Sequence, residues 1–191
     1  MSETPPGADA ADAAELVACV ARWLERIVVD FNLCPFAAKV VLDRQVRLLP
    51  TAAETTEQLL GDLEAELMFL GGNDNWETSL LIHPLVLGDF YDYNQFLDLV
   101  DELLRQMDLE GVFQVASFHP HYQFAGTEPD DAENYSSRSP YPLLHILRES
   151  SIERAVAGYP DVDQIPLRNI ERLNGLGAAK LHALWQSCFQ A

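Results

Sequence analysis

Apolar residues near the start of the chain recur at steps of three and four, the spacing that places side chains on one face of an α-helix. The predicted helix covers residues 12–31, and its apolar face consists of Leu16, Val20, Trp23, Ile27 and Phe31. Pro35 ends this helix, because the residue before a proline avoids the helical region of backbone conformation. The first predicted element is therefore a helix with one buried face.

Two later segments show the same helical spacing. Each follows a capping-box sequence, in which two side chains three positions apart bond each other's free backbone amides. Thr55 and Gln58 form the first box, and Asp92 and Gln95 form the second. The helix after Thr55 is expected to end at the glycine pair that begins at Gly71, because glycine readily adopts the conformation that closes a helix.

Three apolar stretches lie between these helices and predict β-strands, at residues 45–49, 78–87 and 112–118. The second stretch is almost wholly apolar, which is typical of a strand covered on both faces. Pro84 interrupts it, so either its pairing ends there or the strand lies at a sheet edge.

A polar segment follows the third strand and predicts a loop at residues 120–138. Ser139 is a good N-cap and Pro140 suits a first helical turn, which together predict a helix over residues 139–157. A helical C-terminus follows from about residue 166. Strands separated by helices favour an α/β fold with a small, mostly parallel sheet of about three or four strands flanked by helices. A ferredoxin-like α+β arrangement with one undetected extra strand is the alternative.

The length of 191 residues suits one domain, which we place at residues 12–191 after a disordered tail at residues 1–11. No stretch of about 18 apolar residues is present, so the sequence predicts no membrane span. A signal peptide would have a basic region followed by an apolar core, and the tail does not have this pattern, so we do not expect it to be a signal peptide. Cys19, Cys34 and Cys188 share no metal-binding spacing, which favours free thiols in a reducing cytosol.

The net charge of −18, from 30 acidic and 12 basic residues, changes the expected partners. An acidic surface repels phosphate backbones and anionic membranes, which disfavours nucleic acid and membrane partners. The same charge attracts cations and cationic partners. The sequence leaves the oligomeric state open.

Three histidines lie at the ends of predicted strands and are candidates for chemistry. Ligands of open α/β sheets bind beyond the carboxyl ends of the strands. His83 lies late in the second strand, and His119 and His121 follow the third. If these strands are parallel, the imidazoles lie at one edge, where His119 and His121 could act in catalysis or hold a divalent metal together with Asp130. The alternative is that the histidines fasten the loop by hydrogen bonds to backbone carbonyls.

A second candidate is an anion site at the N-terminus of the helix predicted from Ser139. Free amides at that position and the adjacent Arg138 favour a phosphate or carboxylate ligand. On such a helix Tyr141, His145 and Arg148 would share one stripe, with His145 as acid or base and Arg148 holding the anion. The alternative is that Arg148 pairs with a carboxylate and fastens the loop.

Several motifs of the chain resemble those of a known family. They are Asn32-Leu33-Cys34-Pro35-Phe36, Phe118-His119-Pro120, Tyr122-Gln123-Phe124-Ala125-Gly126-Thr127, Asp130-Asp131, Glu133-Asn134-Tyr135, Arg138-Ser139-Pro140-Tyr141-Pro142 and His145-Ile146-Leu147-Arg148-Glu149. The family is the bacterial one catalogued as "domain of unknown function 1415", and the resemblance extends over nearly the whole chain after the tail. It implies a bacterial, cytosolic, single-domain protein and transfers no activity or catalytic residue.

Two hypotheses for function follow. The first is a small cytosolic enzyme that acts on a small polar or anionic molecule at the loop after the third strand, with a divalent metal as the cofactor that the histidines suggest. The second is a non-catalytic interaction module or a structural clasp that uses the aromatic residues of the same loop. Those aromatic residues are Phe118, Tyr122, Phe124, Tyr135 and Tyr141.

Overall fold

The computed structural model describes residues 13–190, which place helices on both faces of a four-stranded sheet. The strands are β1 (Val46–Pro50), β2 (Thr78–Ile82), β3 (Phe113–Phe118) and β4 (Leu143–Arg148). The α-helices are α1 (Ala13–Trp23), α2 (Ala37–Leu42), α3 (Thr56–Gly71), α4 (Phe90–Gln106), α5 (Glu149–Ala157), α6 (Ile165–Leu176) and α7 (Ala178–Ser187). Short 3-10 turns form at Ala132–Ser136 and Val162–Gln164.

The sheet has the strand order β1-β2-β4-β3 and is mixed. β1 and β2 are parallel, whereas β4 is antiparallel to both of its neighbours, β2 and β3. The parallel pair joined through α3 is the strand–helix–strand unit of α/β proteins, so the expected fold class is confirmed. The expectation of a mostly parallel sheet is wrong, because the additional strand β4 pairs antiparallel on both sides.

Alternation along the strands gives the sheet an apolar core on each face. On one face Leu80 and Ile82 of β2 pack with Trp23 of α1 and with residues of α6 and α7. On the other face Leu81 packs with residues of α3 and α4, such as Leu63 and Phe96. The described chain is therefore three layers thick, and the ends of the central strands emerge between two helical layers.

The first two helix predictions are confirmed. α1 continues as a π-helix over Leu24–Val29, and the two segments together cover most of the predicted first helix. The capping box of α3 is present, because Thr55 Oγ1 accepts from the Gln58 amide at 3.3 Å and Gln58 Oε1 accepts from the Thr55 amide at 3.2 Å. Both helices form where the periodicity places them.

The second capping box, predicted at Asp92 and Gln95, is wrong. α4 begins at Phe90, and its cap is Asp89, whose Oδ1 accepts from the amides of Tyr91 and Asp92 at 2.8 and 3.2 Å. Asp92 therefore lies inside the first turn, where its negative charge suits the positive end of the helix. The strand before α4 is also shorter than the predicted range of residues 78–87, because β2 ends at Ile82, two residues before Pro84.

The helix predicted from Ser139 is wrong over its first half. The segment Leu143–Arg148 is β4 in the interior of the sheet, and α5 begins only at Glu149. Because β2 and β3 flank β4 and helices cover both faces, its residues do not alternate between apolar and polar. Periodicity alone cannot assign so short an apolar stretch to a helix or a strand.

The predictions for the cysteines, for a membrane span and for the N-terminal tail have different outcomes. All three cysteines are free thiols, and Cys19 and Cys188 are buried. None of the helices in the described range has the length and apolar character needed to cross a membrane. The predicted N-terminal tail lies outside the described residues.

Candidate functional site

The carboxyl ends of β1, β2 and β3 meet at one edge of the sheet. β2 and β3 are both antiparallel to β4, so they run in the same direction although they are not neighbours. His83 directly follows β2 and His119 directly follows β3. The ring of His121 lies 5.8 Å from that of His119, measured between centroids. The structure therefore brings the three histidines to a common edge, which we call the histidine edge.

Tyr93 of α4 packs against two of these histidines and ties the edge together. Its ring centroid lies 5.7 Å from that of His83 and 5.1 Å from that of His119. Its hydroxyl donates to the Leu143 carbonyl at 2.8 Å and accepts from the Phe118 amide at 3.1 Å. Burial raises the pKa of Tyr93, so the phenol remains a neutral donor that holds α4 to the ends of β3 and β4.

Two histidines fasten the loop that connects β2 to α4. His83 Nδ1 donates to the Val86 carbonyl at 3.1 Å, and His119 Nε2 donates to the Leu87 carbonyl at 3.1 Å. Leu87 has a φ of +58°, a left-handed conformation that side chains other than glycine seldom adopt. The two imidazoles thus bond consecutive carbonyls of a strained turn, as the alternative interpretation expected in kind, but the loop that they fasten precedes α4 and is not the loop after β3.

These bonds also fix the protonation of both rings. His119 Nδ1 accepts the His121 amide at 3.0 Å, so both nitrogens of His119 are already bonded. Burial lowers the pKa of His83 to about 4 and the pKa of His119 to about 4, so both are neutral at pH 7. Within the described residues, Nε2 of His83 is buried and has no hydrogen-bond partner. His119 therefore has no nitrogen free for proton transfer or metal binding.

His121 is the exposed member of the histidine edge. Its backbone amide bonds His119, and no hydrogen bond to its ring forms within residues 13–190. Partial burial lowers the pKa of His121, the nearby Arg138 guanidinium lowers it further, and the Asp89 carboxylate acts in the opposite direction. A neutral imidazole with free nitrogens at pH 7 is suited to accept a proton.

Arg138 is fixed beside His121 by backbone carbonyls. Its Nε donates to the Tyr122 carbonyl at 3.0 Å, and NH2 donates to the Pro129 carbonyl at 2.5 Å. The guanidinium carbon lies 4.9 Å from the ring centroid of Tyr135. Arg138 forms no salt bridge with any described carboxylate, although the chain is strongly acidic. Its positive charge is therefore oriented and not neutralised by an ion pair.

Asn134 organises the part of the loop that lies between these groups. Its Oδ1 accepts from the Phe124 amide at 3.0 Å and from the Thr127 hydroxyl at 2.9 Å, and its Nδ2 donates to the Glu128 carbonyl at 2.8 Å. The side chain is fully buried. The side-chain amide of Asn134 thus holds the irregular backbone of residues 124–128 in place through three hydrogen bonds.

We expect Asn134→Ala to lower the free energy of unfolding by about 2–3 kcal/mol, because three buried hydrogen bonds lose a partner. Proteolysis should also become faster at residues 124–128. Urea denaturation and limited proteolysis test this, with Asn134→Asp as the matched variant that keeps the acceptor oxygen and loses the donor. Equal protease resistance of the wild type and Asn134→Ala would contradict the role.

The structure does not assemble the anion site expected at Ser139. Ser139 is buried, caps no helix, and donates its hydroxyl to the Tyr141 carbonyl at 2.6 Å. Tyr141 packs on Phe189, outside β4. The shared helical stripe is wrong because alternation along β4 places His145 and Arg148 on opposite faces of the sheet.

His145 and Arg148 each bond within the protein. His145 Nε2 donates to Thr78 Oγ1 at 2.8 Å, since that hydroxyl itself donates to the Ile146 carbonyl. Burial lowers the pKa of His145 to about 4. Arg148 NH2 donates to three backbone carbonyls near the end of α3, and the guanidinium also packs over Phe113. Arg148 therefore fastens the end of α3 through carbonyls, whereas the alternative expected it to pair with a carboxylate and fasten the loop.

The geometry of the loop also bears on two further hypotheses, the metal site and the aromatic interaction surface. No group of three or more His, Cys, Asp or Glu side chains within residues 13–190 is arranged to hold a metal, so His119, His121 and Asp130 do not come together as ligands. The five loop aromatics do not form one surface, because Phe118 packs on Trp23 and Tyr135 is 5% exposed. Of the loop aromatics, Phe124 is among the exposed large side chains.

A family model described as "Protein of unknown function (DUF1415)" matches residues 15–183. The chain belongs to this family. Neither a search of curated proteins nor a search of solved structures found a significant match. The DUF1415 description assigns no activity, so the residues of the histidine edge must be interpreted from their own geometry.

Sequence reasoning on this DUF1415 chain missed three residues that build the site. Asp89 caps α4, Tyr93 joins β3 to β4, and Asn134 holds the loop. Asp89 could have been found, because it precedes an apolar-periodic segment as an N-cap does. Tyr93 and Asn134 carry no local sequence signal, because their hydrogen-bond partners are set by the fold. The partners of Tyr93 are 25 and 50 residues away, and those of Asn134 are 6 to 10 residues away.

Proposed function

We propose that this DUF1415 protein is a small enzyme-like domain that binds a small anionic molecule between Arg138 and His121. One observation carries the proposal: a carbonyl-fixed guanidinium, with no ion pair among the described residues, lies beside an exposed imidazole whose ring has no hydrogen bond among them. A carboxylate or phosphate would supply the missing negative charge, and Arg is the side chain best suited to bind such groups.

The two groups have different chemical roles in this proposal. Arg138 orients the anion, and its bonds to the Tyr122 and Pro129 carbonyls reduce the entropy lost on binding. His121 is neutral at pH 7 because its pKa is lowered, so it takes a proton from the bound molecule. His119 is a positioning residue, since its Nδ1 accepts the His121 amide.

Binding of sulfate and succinate tests the proposal, because the charge of sulfate is constant from pH 5 to 8. We expect Arg138→Gln to weaken binding about tenfold, as expected for the loss of a charge-assisted contact. Lowering the pH should strengthen sulfate binding as His121 gains a proton, and His121→Asn should remove that pH dependence. Isothermal titration and NMR shifts of residues 119–124 provide the measurements.

Arg154→Gln is the matched control, because Arg154 is exposed and lies on α5. It should bind both anions like the wild type. If Arg138→Gln and Arg154→Gln bind sulfate equally well, the site does not exist. If neither anion binds the wild type at millimolar concentration, the loop serves to fasten the fold and the function lies elsewhere.

The remaining features of the proposal concern organisation and location. We propose one domain over residues 12–191 in a bacterial cytosol. The shared sheet with a core on each face supports the single domain. The free thiols support a reducing compartment, where disulfides rarely form.

A further inference from the structure

The outer edge of β1 has unpaired backbone groups. In the described part of the chain, β1 is a terminal strand of the sheet and pairs only with β2. The Thr51 amide donates to the Ile82 carbonyl at 2.9 Å, and the Gln45 carbonyl accepts from the Glu77 amide at 2.9 Å. Because backbone groups alternate along a strand, Val46 and Leu48 direct their amides and carbonyls away from β2. Within residues 13–190 no hydrogen bond uses these groups.

A groove lies between this edge and α3, and we call it the β1–α3 groove. Its volume is about 620 Å³. Arg47, Leu49 and Thr51 line the strand side, and Asp62, Ala65 and Phe69 line the helix side. The lining positions from Gln58 to Phe69 cover three turns of α3, which is about 16 Å along the helix axis. The groove is therefore elongated along α3.

The groove is apolar at its base and acidic along the helix. Leu49, Ala65 and Leu81 supply apolar surface. Asp62 and Glu66 of α3 line the groove, and Glu57 and Glu64 lie on the same helix outside the lining. The segment Thr56–Gly71 contains no lysine or arginine. Arg47 is paired with the buried Glu66 at 2.9 Å, so it leaves the charge of Asp62, the other carboxylate of the lining, without an ion pair among the described residues.

We propose that the β1–α3 groove binds an extended peptide segment of a partner protein that carries lysine or arginine side chains. The segment would pair its backbone with the outer edge of β1, a recognised way for sheets to bind peptides. Alternate side chains would then point into the groove. This site is separate from the histidine edge and does not depend on anion binding there.

The dimensions and charges of the groove select this occupant. An extended segment of five residues spans about 16 Å, which matches the helical wall. Pro50 has no amide, so an added strand bonds the amides of Val46 and Leu48 and ends beside Pro50. A second copy of this chain would bring another net charge of −18 to an acidic wall, so like charges oppose it.

The probe is a capped pentapeptide that alternates valine and lysine, compared with the same peptide carrying glutamate in place of lysine. We expect the lysine peptide to bind at least about tenfold more tightly than the glutamate peptide, because of the charge of the wall. Its binding should shift the NMR signals and slow the hydrogen exchange of the Val46 and Leu48 amides. A lysine peptide with methylated backbone nitrogens should lose most of its affinity.

Two pairs of variants locate the binding. Ala65→Trp fills the groove and should abolish peptide binding, whereas Met68→Trp, at an exposed position of α3 outside the groove, should not. Asp62→Asn should weaken the lysine peptide severalfold and keep the bond from the Thr51 hydroxyl. Glu64→Gln removes the same charge from an exposed position outside the groove and should have a smaller effect.

Four outcomes would overturn the proposal. Equal binding of the lysine and glutamate peptides would remove the charge argument. Equal binding to the Ala65→Trp and Met68→Trp variants would mean diffuse attraction to an acidic protein. Full affinity of the methylated peptide would exclude strand pairing. Protection of the Val46 and Leu48 amides that rises with protein concentration alone would identify a second copy as the occupant.

Discussion

Arg148→Ala is expected to lower the free energy of unfolding by about 3 kcal/mol. Arg148 NH2 donates to the carbonyls of Leu70 at 2.6 Å, Asn73 at 3.0 Å and Trp76 at 3.2 Å. Hydrogen bonds from a charged donor contribute roughly 1.5–3 kcal/mol each, and three acceptors that share one nitrogen contribute less than three separate bonds. The guanidinium also packs 5.5 Å from the ring centroid of Phe113, and alanine would remove that contact.

The position of Arg148 explains why the effect is large. It lies at the end of β4, and its acceptors are at the end of α3 and in the turn that leads to β2. One side chain therefore joins the central strand to the segment that ends α3, where carbonyls have no helical partner. A cation at that end of a helix also interacts favourably with the helix dipole.

Urea denaturation of three variants tests this role. Arg154→Ala is the matched control, since Arg154 is 66% exposed and its pair with Glu77 at 3.3 Å is a surface contact worth less than about 1 kcal/mol. Arg148→Lys should recover only part of the loss, because an ammonium cannot reproduce the fork of the guanidinium. A loss for Arg148→Ala no larger than that for Arg154→Ala would show that the three bonds contribute nothing.

The fold was predictable wherever the pattern was local. The spacing in α1 and the capping box at Thr55 fixed two helices, because both signals lie within one element. β4 was missed because Leu143, Leu144 and Ile146 are all buried, and an interior strand covered on both faces loses its alternation. Ser139 and Pro140 then favoured a helix start, although the same residue types occur in turns.

The histidine edge was predictable from strand direction alone. It required only that His83 and His119 follow strands that run the same way, which holds although β4 lies between them. The partners of the rings were not predictable, because the Val86 and Leu87 carbonyls belong to a loop whose path the sequence does not specify. The β1–α3 groove carried no sequence signal, since it exists only once α3 packs beside β1.

The stability of the protein is expected to fall steeply between pH 6.5 and pH 4 because of its neutral histidines. Burial lowers the pKa values of His83, His119 and His145 to about 4, from an ordinary value of 6.5. In this range the unfolded chain binds protons that the folded protein excludes. The stability is therefore fully present above pH 6.5 and is lost as the pH falls through the folded pKa.

The loss of unfolding free energy expected from these three histidines is large enough to dominate acid unfolding. A pKa difference of this kind corresponds to roughly 3 kcal/mol for each fully buried histidine below pH 4. Near pH 5 the slope of unfolding free energy against pH should correspond to an excess of about three protons in the unfolded state from these groups. All other titrating groups are shared by the wild type and the variants, so comparing variants isolates the histidine contribution.

Urea denaturation at several pH values from 4.5 to 7.5 measures the slope for the wild type and three single variants. His83→Asn, His119→Gln and His145→Gln each keep a donor near the original nitrogen and remove one titrating group. Each should lower the slope near pH 5 by about one proton, whatever its absolute loss of stability. Leu144→Ala is the control, because it removes buried apolar contacts and no titrating group, so its slope should equal that of the wild type. Unchanged slopes in the three histidine variants would mean that these rings are already protonated in the folded protein, and the tautomers assigned from their hydrogen bonds would then be wrong.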